Sequence, residues 1–103
     1  MKKILFVASE AVPFIKTGGL ADVVGSLPKY LDKRYFDARV ILPKYMCMKE
    51  EIRNSLEYIG DFYIDYAGTS KYVGVLKKEL DGVTFYFIDN EEYFSGPTPY
   101  GDW

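Results

Sequence analysis

The residues best equipped for chemistry stand in the short stretch from Glu10 to Asp22, which contains Lys16, the adjacent pair Gly18-Gly19 and two carboxylates. A helix opening at those glycines presents amide groups that have no carbonyl partner, and its dipole favours an anion at that end. Glycine lets a ligand come close to the backbone, and Lys16 adds a full positive charge, so together they suit a phosphate or a diphosphate leaving group. The residues leave a second reading open. A Gly-Gly turn with a nearby lysine is far less specific than a full phosphate-loop signature, and it also describes a plain strand-to-helix turn with a surface lysine. Asp22 divides in the same way: the dipole stabilises a carboxylate in a helix's first turn, and on the open face of a cleft the same group can hold sugar hydroxyls. Glu10, on the other side of the turn, is expected to face the same cleft.

The flanking sequence must position these groups. Ile4 to Ala8 form a continuous apolar run behind Lys2 and Lys3, the pattern of a strand buried on both faces of a parallel sheet. After the glycines, Leu20, Val23, Val24, Leu27, Tyr30 and Leu31 fall at helical spacing and predict an apolar helix face, with Pro28 bending the helix near Val24. A second strand follows at Ala38–Leu42, ended by Pro43, with Val40, Ile41 and Leu42 in the core and Lys44 solvated. Strand, helix, strand is a right-handed crossover, so the two strands should be parallel neighbours. The polar stretch from Met46 to Asn54 reads as a short helix or loop. Three β-like runs come next, LEYIGDFYIDY, KYVGVLKKEL and VTFYFID, separated by Ala67-Gly68-Thr69-Ser70 and by Asp81-Gly82, the latter a hairpin signal. The last run suits a central strand, and the first two suit an edge hairpin whose tyrosines are better read as packing than as a sugar platform. The remaining residues, NEEYFSGPTPYGDW, read as a loop at the C-terminal edge of the sheet. There Tyr100 either offers a ring to a sugar or closes the loop on the core.

The run S-E-x-x-P-x-x-K-T-G-G-L-A-D-V-x-G-x-L-P, from Ser9 to Pro28, resembles the N-terminal signature of bacterial glycogen synthases and plant starch synthases. RVILPKY extends the likeness. The resemblance implies the GT-B architecture of two Rossmann-like domains, and transfer of glucose from ADP-glucose to the non-reducing end of an α-1,4-glucan with retention of configuration. By matching position it gives Lys16 to the diphosphate, the backbone of Gly18 and Gly19 to the same pocket, and Glu10 and Asp22 to glucose or acceptor hydroxyls. Pro99-Tyr100-Gly101-Asp102 is kept near the end, whereas Ser95 and Gly96 stand where the family commonly has Arg-Pro. The family's later catalytic groups, an aspartate and a histidine in the first domain and basic and acidic residues in the second, have no counterpart in this chain.

The expected fold class is therefore α/β, an incomplete Rossmann-like (GT-B N-terminal domain) parallel-sheet segment with an added β-hairpin. Residues 1–103 would form the first part of the N-terminal domain, and a fragment of that size is expected to be inactive. A stand-alone flavodoxin-like module binding a nucleotide or FMN is the alternative, although such loops usually hold phosphate with hydroxyls and backbone instead of a lysine. Composition is that of a soluble globular protein, with 49% hydrophobic residues, 27% charged and a net charge of −2, which suggests no nucleic-acid surface. No run approaches membrane-spanning length, and the apolar run behind Lys2 and Lys3 is too short for a signal peptide. Cys47 is the single cysteine and histidine is absent, so neither a disulfide nor a metal cluster is expected, and a reduced thiol suits a cytoplasmic protein. The family stabilises its diphosphate with basic side chains and needs no metal cofactor.

Overall fold

Alternating apolar residues such as Val83, Phe85 and Phe87 give the central strand one buried face, and five strands combine into a single mixed sheet. In the computed structural model, which describes residues 2–45 and 47–90, the order along the chain is β1 (Lys2–Val7), α1 (Gly19–Tyr30), β2 (Phe36–Pro43), α2 (Glu50–Asn54), β3 (Glu57–Tyr66), β4 (Thr69–Leu80) and β5 (Val83–Asp89). In space the strands run β1-β2-β5-β4-β3. β1 and β2 are parallel neighbours, with Ile4 opposite Ala38 and Phe6 opposite Val40, as a strand-helix-strand crossover requires. β5 lies parallel to β2 on its other side and takes the central place expected of it.

β5, β4 and β3 form an antiparallel meander. Both of its turns contain two residues with positive φ: Ala67 and Gly68 at 52° and 76°, Asp81 and Gly82 at 53° and 76°. Two positive φ values in succession are what a type I′ hairpin needs to match the twist of its strands. The first turn is therefore tighter than the four-residue break read from the sequence, and Thr69 and Ser70 already belong to β4.

The core lies on one side of the sheet. Val40, Leu42, Val83, Phe85, Phe87 and Leu76 are buried there beneath the segment from Ala11 to Ile15, α1 and the stretch around Tyr45 and Met48. Phe14 packs its ring on Phe85 and Phe87 at centroid separations of 4.7 and 5.0 Å. An irregular segment thus supplies a core anchor that periodicity cannot reveal. Cys47 is a half-buried free thiol, and burial pushes its pKa up.

Several expectations need correction. The β3 tyrosines read as packing stay exposed, Tyr58 and Tyr63 among them. β1 is an edge strand whose second face is open: Leu5 is 56% and Val7 79% exposed, because no element among the described residues covers that side of the sheet. α1 buries Ala21, Val24 and Pro28, while Leu20, Val23, Leu27 and Tyr30 stay exposed. The reason is steric. Gly25 brings α1 so close to Val12 that an added Cβ would lie 2.3 Å from a Val12 methyl and 2.6 Å from its carbonyl oxygen, so the small-residue face must be the one turned inward. Lys44, finally, is only 17% exposed and lies 3.9 Å from Asp89, a half-buried pair and not a solvated charge.

Candidate functional site

In this sheet β1, β2 and β5 all end on the same side, and the segment from Ser9 to Gly19 leaves β1 at that edge. The C-terminal ends of parallel strands are where open α/β sheets bind ligands. A hollow lined by Val7, Ala8, Ser9, Ile41, Pro43 and Ile88 opens at the same edge.

The segment is tied down at several points before it reaches the glycines. Ala11 and Ile15 exchange two backbone hydrogen bonds, at 3.1 and 3.0 Å, and the Val12 amide donates to the Ala21 carbonyl at 3.0 Å. The Val12–Pro13 peptide is cis. Ala11 and Phe14, both buried, pin the loop to the core, so Lys16 and Thr17 project from a fixed base.

Lys16 and Asp22 meet across the loop. The Lys16 ammonium lies 2.9 and 3.0 Å from the two carboxylate oxygens, and the side chains are 53% and 54% exposed. An exposed pair of this kind is worth about 0–1 kcal/mol, so a multiply charged anion can displace Asp22 at small cost. The structure thus brings Lys16 and Asp22 together on the exposed side of the loop.

Glu10 is the departure from expectation. It is 2% exposed and turns inward, beneath the loop. One carboxylate oxygen accepts from the Thr17 amide at 3.0 Å and from the Thr17 hydroxyl; the other accepts from the Ala21 amide at 3.1 Å. Burial pushes the Glu10 carboxyl up, but the hydrogen bonds from the Thr17 hydroxyl and from the Thr17, Ala21 and Gly18 amides together hold it below the ordinary carboxylate range. Gly18, the residue before the helix, has no side chain with which to cap it, and Glu10 caps α1 from a distance. Its partner Thr17 went unnoticed in the sequence, although the S/T-type donor beside the Gly-Gly pair is visible there.

The glycines differ in what they do. A Cβ added to Gly18 would meet a Glu10 oxygen at 3.9 Å, an ordinary contact; one added to Gly19 would meet nothing within 4 Å. The space over Gly19 is open. With Glu10 taking the inner donors, the amides of Gly19 and Leu20 are left without a protein acceptor among the described residues. Tyr100 and the loop containing Ser95-Gly96 lie outside the described residues.

Comparison with known proteins adds three findings. The family model for the starch synthase catalytic domain matches residues 3–103. The glycogen synthases of Lachnospira eligens and Lachnoclostridium phytofermentans are 63% and 58% identical over 97% and 99% of this chain, which in each case spans 21% of the relative's length. The catalytic domain of starch synthase IV from Arabidopsis thaliana, solved bound to ADP and acarbose, superposes with a TM-score of 0.81 at 25% identity, over 98% of this chain and 21% of that one.

Proposed function

The chain belongs to the starch synthase catalytic domain family, and on that premise we propose that its Gly18-Gly19 edge holds the diphosphate of ADP-glucose in a retaining glucosyltransferase that extends an α-1,4-glucan. Residues 1–103 would be the first part of the N-terminal Rossmann-like domain, the second domain lying in the part of the relatives' length that these residues do not span. The observation that carries the reading is the open space above Gly19, with the Gly19 and Leu20 amides unengaged among the described residues and the half-exposed Lys16 ammonium on the same loop. Nothing in the protein itself requires a glycine at that position, whereas a phosphate resting on the backbone does.

In this reading the leaving ADP gathers negative charge on its diphosphate as the glucosyl bond breaks, and Lys16 with the Gly19 and Leu20 amides neutralises it. As that bond breaks, the acceptor hydroxyl oxygen bonds to the glucosyl carbon and gives up its proton to the departing phosphate oxygen or to water. Asp22, released from Lys16 when the diphosphate arrives, becomes free to accept hydrogen bonds from sugar hydroxyls. Tyr100 would present its ring to the glucan or donor sugar. The soluble, cytoplasmic setting proposed for the enzyme accords with the absence, among the described residues, of any helix long and apolar enough to cross a membrane. No observation favours a flavodoxin-like module.

Two substitutions test the site. Lys16→Ala, in a complete synthase that carries this segment, is expected to lower kcat/KM for ADP-glucose by about 2–4 kcal/mol, the usual loss for a group that stabilises developing charge. Its melting temperature should stay unchanged, because the side chain is half exposed. Gly19→Ala should leave the fold as stable as before or slightly more so, since a Cβ there touches nothing and alanine favours the helix. It should nevertheless weaken ADP binding by about tenfold or more by filling the seat of the phosphate. An alanine variant that bound ADP normally would remove the diphosphate from this position.

A further inference from the structure

Glu10 is a charged group placed where charge is costly: it is almost wholly buried, directly beneath a loop proposed to receive an anion. A carboxylate there repels a diphosphate, and capping alone does not need it, since serine, threonine or asparagine at the helix start would serve. What distinguishes Glu10 is the choice of donors it occupies. Its oxygens take the Thr17 amide, the Thr17 hydroxyl and the Ala21 amide. These donors flank the glycine pair on both sides. Left over are the amides of Gly19 and Leu20, beneath open space.

We infer that Glu10 is the positioning residue of the anion loop, a buried carboxylate that engages the inner amides so that those of Gly19 and Leu20 alone are presented to the ligand. The inference rests on the diphosphate reading and deepens it by fixing which amides take part. Its physical basis is preorganisation. An anion meeting a loop whose inner donors were unsatisfied would be drawn to several competing positions, and the loop would have to be ordered at binding. With Glu10 in place one position remains. Thr17 belongs to the same device, since its hydroxyl and amide both end on one Glu10 oxygen.

Glu10→Gln tests this with little change of shape. A carboxamide has one accepting oxygen, and its NH2 faces donors it cannot satisfy, so one side of the loop must come loose. The readout is the backbone amide NMR spectrum of the chain during titration with ADP. In the wild type, Gly19 and Leu20 should shift most and Thr17 and Ala21 little. In Glu10→Gln the shifts should spread to Thr17, Gly18 and Ala21, with affinity reduced by about tenfold. Thr17→Val keeps the charge and the shape, removes only the hydroxyl, and should weaken ADP binding severalfold, whereas Thr17→Ser should restore it. If Glu10→Gln fails to fold, the two Thr17 variants decide the matter alone, normal binding by Thr17→Val being the contrary result.

The outcomes separate the two readings. Unchanged or tighter ADP binding by a folded Glu10→Gln, with the wild-type pattern of shifts, would overturn the positioning role and leave the diphosphate site standing. A wild-type spectrum indifferent to ADP would overturn both.

Discussion

The chain of 103 residues, incubated with ADP-glucose and glycogen, is expected to incorporate no glucose. A retaining transfer needs donor and acceptor enclosed, with water excluded and the diphosphate held from two sides. The described residues provide one wall. In the proposed reading its contacts to a diphosphate reduce to Lys16 and two amides, all on the open edge of a single sheet. The relatives it matches are about five times longer, the chain spanning 21% of each. ADP binding without turnover is thus the expected behaviour, and a radiolabel assay on purified chain measures it. Steady incorporation of label would mean the site is complete within these residues, and the two-domain mechanism would have to be abandoned.

The largest effect on stability should come from Gly25→Ala. In an exposed helix this change stabilises, because alanine is the better helix former by about 1 kcal/mol. Here the added methyl would lie 2.3 Å from the Val12 side chain and 2.6 Å from the Val12 carbonyl oxygen. The side chain can rotate; the carbonyl belongs to a backbone held by Ala21 and by the buried Ala11 and Phe14. Overpacking against a fixed neighbour costs about 1–3 kcal/mol, and sometimes more. The expected result is a lower denaturation midpoint with a loosened Lys16 loop, read by urea titration and by the same ADP binding assay. A midpoint equal to wild type would show that Val12 can move aside.

Much of this was legible in the sequence because local chemistry determined it. Asp81-Gly82 signals its turn through the low cost of positive φ, and the Gly-Gly pair marks the start of α1 where the structure has it. Val40, Ile41 and Leu42 mark β2 as a core strand; the structure extends it to Phe36–Pro43 and buries Val40 and Leu42, while Ile41 is only half-buried on the opposite face. What escaped notice depended on which neighbours arrive. An apolar run reports that Leu5 and Val7 tolerate burial, not that an element is present to cover them. The spacing of Leu20, Val23 and Leu27 describes a real apolar stripe, yet the close approach at Gly25 selects the adjacent stripe of smaller residues for the core. Glu10 shows the same limit at the site. A glutamate in a loop is ordinarily solvated, and only the simultaneous presence of Thr17, Gly18 and Ala21 amides around it makes burial affordable.

The Ala67-Gly68 turn has a practical consequence. It lies at the tip of the β3–β4 hairpin, and β3 is the strand at the far edge of the sheet from β1. At about 4.8 Å between neighbouring strands, four steps put β3 roughly 19 Å from β1 and the loop that follows it. Ala67, Gly68, Thr69 and Ser70 are all exposed. This tip is accordingly the place to attach a dye, an affinity handle or a short insertion. A reporter there would sit on the sheet that carries the Lys16 loop, away from the proposed diphosphate position.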